Sequence, residues 1–238
     1  MYIPTEKLKT LASSFGVSLD ETALERFDAY AKLLCEWNEK INLTAITDPQ
    51  GIAVKHFADS LSVFGFCDFP LGASVIDVGT GAGFPGLALL IARPDLKLTL
   101  LDSTKKKLTV LEDILEKLSL SAELLHSRAE EAGRNKKYRE SFDFATARAV
   151  ANLRELSEYC LPFVKKGGCF VSMKGARALE EIDGAKKAIA LLGGKIEKEE
   201  SFLLEEAGER NIIVVRKCSS TPEKYPRASA KIAKYPLE

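Results

Sequence analysis

The sequence predicts an α/β fold built on a mostly parallel, Rossmann-like sheet, and three observations carry that expectation. Short apolar runs alternate with helix-patterned stretches from residue 74 onward. A turn with glycine at every second position, Gly79-Thr80-Gly81-Ala82-Gly83, joins the first run to a helix. The last two runs are separated only by Glu205-Glu206-Ala207-Gly208-Glu209-Arg210. Alternation of strand and helix implies parallel strands covered on both faces. The final link is of hairpin length, too short for a crossover helix, so the last strand is expected to run antiparallel.

Residues 1–68 read as a helical extension. Leu8, Leu11 and Phe15 recur at helical spacing, and Leu24, Phe27, Ala31 and Leu34 form one face behind a capping box of Ser18 and Glu21. Trp37 and Ile41 extend that surface. Thr47-Asp48-Pro49-Gln50 then opens a helix carrying Ile52, Phe57, Leu61 and Phe64. Residues 69–217 hold the Rossmann-like domain. Its seven expected strands are 74–78, 97–101, 122–125, 142–147, 169–173, 195–204 and 211–215, with helices over 85–92, 105–118, 152–164 and 176–192. Residues 218–238 form a polar, basic tail expected to be irregular.

Bulk properties narrow the function classes. With 238 residues, 46% of them hydrophobic, the chain can bury a full core. The 34 basic and 34 acidic residues cancel, so any nucleic-acid partner must be argued from local patches. MYIPTEKLKT lacks the apolar core of a signal peptide, and no apolar run reaches the roughly 18 residues of a membrane span. The 5 cysteines form no CxxC pair and 2 histidines are too few for a His-rich metal site. A cytoplasmic protein with reduced thiols, no metal and no membrane partner is expected.

The glycine turn points to a nucleotide-like ligand that the backbone approaches closely. Gly81-Ala82-Gly83-Phe84-Pro85-Gly86 matches a dinucleotide fingerprint, so an NAD(P)-binding oxidoreductase is one reading. Asp77-Val78-Gly79-Thr80-Gly81 matches an S-adenosylmethionine loop, which is the other. Asp102, after the second strand, is placed to accept hydrogen bonds from ribose hydroxyls in either cofactor. Three features favour S-adenosylmethionine. The Asp77 carboxylate suits an amino group and a sulfonium better than a pyrophosphate. Pro85 fits a first helical turn, ending the loop before the dinucleotide motif is complete. The antiparallel final hairpin is, by analogy of fold, a methyltransferase ending.

Further candidates follow the strand ends. Ala129 and Glu130 are placed to meet the adenine edge, though an acid starting a helix is also an ordinary solvated residue. Arg148 ends the fourth strand, where it could hold the methionine carboxylate or an anionic substrate; an ion pair to an acid such as Glu155 is the competing reading. Lys174 sits at the tip of the fifth strand and could reach a phosphate, or be an ordinary exposed lysine. No Asn-Pro-Pro-Tyr motif and no Pro-Cys nucleophile is present. An acceptor with its own lone pair, such as guanine N7, needs neither device, because its methylation depends on proximity and orientation. Basic clusters at 105–107, 134–139 and 216–234, with Tyr225 and Tyr235 interleaved, are compatible with RNA.

The motifs WNEKINLTAIT (37–47), KHFADSL (55–61), DVGTGAGFPGL (77–87), AEE (129–131), ARA (147–149), MKG (173–175) and YPR (225–227) occur in one order over nearly the whole chain. In this the sequence resembles the RsmG family, also called GidB or glucose-inhibited division protein B. The resemblance implies a class I S-adenosylmethionine-dependent methyltransferase fold with an N-terminal helical extension. It also implies methylation of guanine N7 in the 530 loop of 16S rRNA, guanine 527 in the usual rRNA numbering, with the rRNA or a small-subunit particle as partner. Gly79, Phe84, Ala129, Glu130 and Arg148 carry over as cofactor contacts, while Asp77, Gly81 and Asp102 rest on the loop geometry. His56 and Asp59 match an HxxDS pattern beside the cofactor cleft. His56, Arg148, Lys174 and Arg227 are candidate RNA contacts. The tail departs from the pattern at Ala230 and Ile232, where the family has glycine and proline. A monomer is expected. The alternatives kept open are a methyltransferase acting on another RNA, a protein or a small molecule, the oxidoreductase, and a binding protein without turnover.

Overall fold

A computed structural model describes residues 3–176 and 178–237. Met1, Tyr2, Arg177 and Glu238 lie outside the described residues, and with them parts of the expected extension, of the 176–192 helix and of the tail. One seven-stranded sheet contains β1 (Ser74–Val78), β2 (Lys97–Asp102), β3 (Glu123–His126), β4 (Phe142–Arg148), β5 (Val164–Gly175), β6 (Gly194–Leu204) and β7 (Gly208–Lys217). Their order is β3-β2-β1-β4-β5-β7-β6. Neighbours from β3 to β5 pair in parallel. β7 runs antiparallel to both β5 and β6, as the hairpin-length link requires. The expected α/β class, mostly parallel with an antiparallel last strand, is present.

The helices are α1 (Thr5–Ser14), α2 (Glu21–Asn38), α3 (Pro49–Gly51), α4 (Asp59–Leu61), α5 (Gly86–Ala92), α6 (Lys105–Lys117), α7 (Ala129–Ala132), α8 (Leu153–Cys160), α9 (Ala178–Leu191) and α10 (Ser229–Lys234). Between α3 and α4 the wider π form runs over Ile52–Ala58. Alternation along the strands separates two cores. Val75, Leu100, Val171 and Val214 face one layer with Phe27, Tyr30, Leu87 and Leu111 from the extension, α5 and α6. Ile76, Leu101, Phe170 and Val215 face the other with Leu153, Leu156 and Ile182 from α8 and α9. Each fully buried side chain of this size contributes about 1.5–3 kcal/mol from apolar transfer, so both faces specify register as well as stability.

Several expectations about elements are corrected. The start of α2 is capped by Asp20, whose carboxylate accepts from the Ala23 amide at 2.7 Å; the expected Ser18–Glu21 box is displaced by this nearer cap. Asp48 caps the next helix by accepting from Gly51 at 2.6 Å. The 152–164 helix ends at Cys160, because Pro162 falls in a 3-10 turn and β5 begins at Val164. The tail is irregular over residues 218–228, as expected, but it is not so throughout. It forms α10 and buries Tyr225, Ile232 and Leu237.

Candidate active site

The C-terminal ends of the parallel strands open into a cleft of about 410 Å³. Gly79 leaves β1 with φ +72°, a left-handed conformation that glycine adopts without steric cost. Asp102 ends β2 with its carboxylate in the cleft. One oxygen accepts from the Thr104 amide at 2.8 Å and the other from the Gly81 amide at 3.0 Å. An ionised carboxylate offers about four acceptor sites, so Asp102 retains capacity for two further donors. Ala129 and Glu130, just beyond β3, line the same cleft, as do the apolar Leu101, Val150 and Ala151. An acid with spare acceptor sites beside a partly apolar slot is an arrangement suited to ribose hydroxyls next to a flat apolar base.

Asp77 is absent from that lining. It is fully buried beneath the loop, where one oxygen accepts from Thr80 Oγ1 at 2.6 Å and from the Gly86 amide at 3.0 Å. The other accepts from Thr146 Oγ1 at 3.1 Å. Burial raises its carboxyl to about 6, against the lowering effect of these three donors and of Arg148. Gly86 lets α5 come this close: a Cβ there would stand 2.7 Å from Leu100 and 2.8 Å from the Asp77 Cβ. Asp77 therefore holds the glycine turn against the first residue of α5. The ligand-facing position expected of it is replaced by one underneath.

Phe84 joins the turn to the extension. Its ring is stacked on His56 at 4.5 Å and on Tyr30 at 5.4 Å, and the Arg148 guanidinium lies 4.9 Å from its centre. The Phe84–Pro85 peptide is cis. Tyr30, fully buried in α2, donates to the Ala82 carbonyl at 2.5 Å, so the extension grips the turn directly. Arg148 donates to Asp59 Oδ2 at 2.8 Å and to the Lys55 carbonyl at 3.1 Å. Its partner acid is Asp59, not Glu155, which bonds Asn152 instead. Arg148 also lies 3.3 Å from His56 Nδ1. A guanidinium can only donate, so that nitrogen accepts and Nε2–H donates to Thr44 Oγ1 at 2.8 Å. Burial, then the adjacent Arg148 charge, push His56 down to about 3, which keeps it neutral near pH 7.

A second cavity of about 410 Å³ adjoins the first, both touching Ala149. Lys55, Arg148, Lys174 and Arg210 supply cationic groups, and Met173, Phe202 and Ile212 an apolar wall. Asp59 sits among them, bonded by Arg148 and by Arg210 Nε at 3.0 Å. Lys174 is bonded to Glu181 at 2.9 Å and to the Ala151 carbonyl.

The sequence candidates thus divide into four places. Gly79, Asp102, Ala129 and Glu130 share the first cleft, with Gly81 bonded to its acid. His56, Arg148 and Lys174 share the second cavity. Asp77 and Phe84 lie behind the turn that separates loop from core. Arg227 is in neither cavity: its guanidinium and amide bind Glu158, whose side chain is 1% exposed. Tyr30, Glu158 and Arg210 escaped the sequence reading. Tyr30 lies next to Ala31 on the predicted helix, where nothing local marks its bond to the Ala82 carbonyl 52 residues away, and pairings across 69 and 151 residues leave no local spacing to detect.

Comparisons with known proteins agree with this arrangement. The family model described as GidB, rRNA small subunit methyltransferase G, matches residues 23–213. A Ribosomal RNA small subunit methyltransferase G from Listeria monocytogenes is 47% identical over 98% of this chain and 99% of its own length. One of the same name from Acetivibrio thermocellus is 50% identical over 95% of this chain and 93% of its own. Among solved structures, a SAM-dependent O-methyltransferase from Thermotoga maritima superposes with TM-score 0.54 over 79% of this chain and 73% of its own, at 15% identity. At that identity the superposition speaks for the fold alone: a class I methyltransferase sheet. By the extent of the family match and the near full-length relatives, the chain belongs to the rRNA small subunit methyltransferase G family, whose members are methyltransferases.

Proposed function

We propose that the protein uses S-adenosylmethionine to methylate N7 of guanine 527 in the 530 loop of 16S rRNA, acting as a cytoplasmic monomer on the RNA or a small-subunit particle. The observation that carries the cofactor half is Asp102, held by two backbone amides at the lip of an adenosine-sized cleft. Family membership carries the acceptor half. Among the described residues no helix is long and apolar enough to cross a membrane, and none form a cluster suited to a metal ion.

Bound in this cleft, the cofactor supplies a methyl group activated by a sulfonium. Asp102 accepts from the two ribose hydroxyls, and Ala129 and Glu130 take the adenine edge. Arg148 has Nε–H and one Nη2–H without a hydrogen-bond partner among the described residues, and these suit the methionine carboxylate. Phe84 fixes the plane of that guanidinium, and Asp77 fixes Gly79 and Gly81 by holding the turn to α5. The second cavity seats the guanine nucleotide, its base against Met173 and Ile212 and its phosphate toward Lys55 and Arg210. Guanine N7 attacks with its own lone pair, so no side chain must remove a proton, and neutral His56 has only to orient Arg148. What remains for the protein is alignment of two bound groups, a contribution that reaches about 7–11 kcal/mol in well-oriented systems.

The test is reduction and aniline cleavage of 16S rRNA from a deletion strain, with and without the gene restored. Cleavage in the 530 loop only when the gene is present is the expected result. A band that persists in the deletion strain removes the N7 reaction from this protein.

A further inference from the structure

The C-terminal segment is basic, yet Arg216, Lys217 and Arg227 are bonded to the rest of the chain, while Lys224, Lys231 and Lys234 are exposed. Arg216 is bonded to Glu197 at 3.0 Å and to the Gly167 carbonyl at 2.7 Å. The Lys217 side chain is fully buried, donating to the Leu161 carbonyl and to Thr221 Oγ1, both at 2.6 Å. Arg227 is bonded to Glu158 through both its amide and its guanidinium. Tyr225, a candidate for stacking on RNA bases, is 6% exposed in the core beneath α8.

The segment is also grasped from outside itself, and by one region. Arg134 Nε donates to the Pro226 carbonyl at 2.7 Å, and Arg139 to the carbonyls of Tyr225 and Thr221 at 2.9 and 2.7 Å. Pro226 packs close over Gly133, where a Cβ would come within 3.3 Å. Gly133 and Arg134 directly follow α7, which carries Ala129 and Glu130, Arg139 lies further along the same loop before β4, and Glu158 lies on α8 beside Tyr159. These anchors bring half-buried Ser229 into the lining of the first cleft, together with Glu130 and Tyr159.

We propose that the C-terminal segment is a wall of the cofactor cleft rather than an RNA-binding arm, with Ser229 a contact residue for the adenine end of the bound cofactor. Glu158 and Arg227 are then positioning residues that act through Ser229. This rests on the reading that the cleft holds S-adenosylmethionine. It also removes Arg227 from the RNA contacts, since releasing that guanidinium would strand a buried carboxylate, a strongly destabilising change.

Three measurements on the full chain test it: binding of S-adenosylhomocysteine and of adenosine by calorimetry, and the RNA KM. Ser229→Tyr puts bulk into the cleft from a half-buried site, so the fold survives; an unchanged Tm checks this. The expected result is a loss of at least about tenfold in affinity for both ligands, with RNA KM unchanged, because the steric block acts at the adenine end. A second variant replaces exposed Lys224, Lys231 and Lys234 with glutamine, and RNA KM is expected to stay within about twofold of wild type. Wild-type affinity in Ser229→Tyr overturns the proposal, as does a tenfold rise in RNA KM in the lysine variant. If wild-type protein itself fails to bind S-adenosylhomocysteine, the cofactor reading fails instead.

Discussion

Asp77→Asn separates the role the structure gives Asp77 from a direct contact with the cofactor. The carboxyl titrates near 3.8 in an unfolded chain and is raised to about 6 by burial in the fold. The folded state therefore holds this proton more tightly than the unfolded state. Its favourable contribution is complete below pH 3.8 and is lost as pH rises through 6. Between pH 5 and pH 7.5 the loss amounts to about 1.4 kcal/mol. Asparagine is nearly the same shape. Its oxygen can accept from Thr80 and Gly86, and its Nδ2–H2 can donate to Thr146 Oγ1, where Asp77 now accepts. The variant keeps the network and loses the titration. Urea unfolding of both proteins at the two pH values should show the asparagine protein gaining about 1.4 kcal/mol on wild type from pH 5 to 7.5. S-adenosylhomocysteine affinity at pH 7.5 should stay within about threefold, since about 1.4 kcal/mol would be tenfold. A stability gap equal at both pH values refutes the buried-titration reasoning. A loss of affinity beyond tenfold with stability intact would mean that the negative charge itself meets the cofactor.

Other residues give sharper losses. Asp102→Ala removes the carboxylate proposed to accept from the ribose, and a hydrogen bond to a charged group is worth about 1.5–3 kcal/mol; calorimetry should show at least about a tenfold loss in S-adenosylhomocysteine affinity. Phe84→Ala deletes the ring packed between Tyr30 and His56 and should cost about 3–5 kcal/mol in urea unfolding. Its cofactor affinity should fall as well, and an unchanged value would return this loop to an ordinary tight turn. Arg210→Gln removes a cation from the second cavity and leaves Asp59 still bonded by Arg148; RNA KM should rise about tenfold if a phosphate contact is lost, while cofactor affinity holds. A fall in cofactor affinity there would move Arg210 to the donor side.

Much of the fold was legible because its signals are local. The run Ser74–Val78 has the bounds expected for it, and the short link before Asn211 forced the antiparallel strand. The first cleft was legible for the same reason: parallel strands must deliver Gly79, Asp102 and Ala129 to one end of the sheet. What stayed hidden depends on distance and direction. The acid at Asp77 could be read from sequence, but whether it faces the ligand or the core depends on Thr80, Gly86 and Thr146 closing around it. The charges of Arg148 and Arg227 were visible too. Their partners, Asp59 and Glu158, lie 89 and 69 residues away. Basic residues after Arg216 resembled a solvated arm because composition does not tell that Lys217 and Arg227 point inward.

Methyl transfer itself is the most direct test of the central claim. Labelled S-adenosylmethionine, with 16S rRNA or 30S particles from a strain lacking this modification, allows the product to be digested and the methylated base mapped. Label at N7 of guanine 527, markedly reduced in Asp102→Ala at sub-saturating cofactor, is the expected result. Label on another atom or another molecule, or none on either substrate from protein that binds S-adenosylhomocysteine, would contradict it.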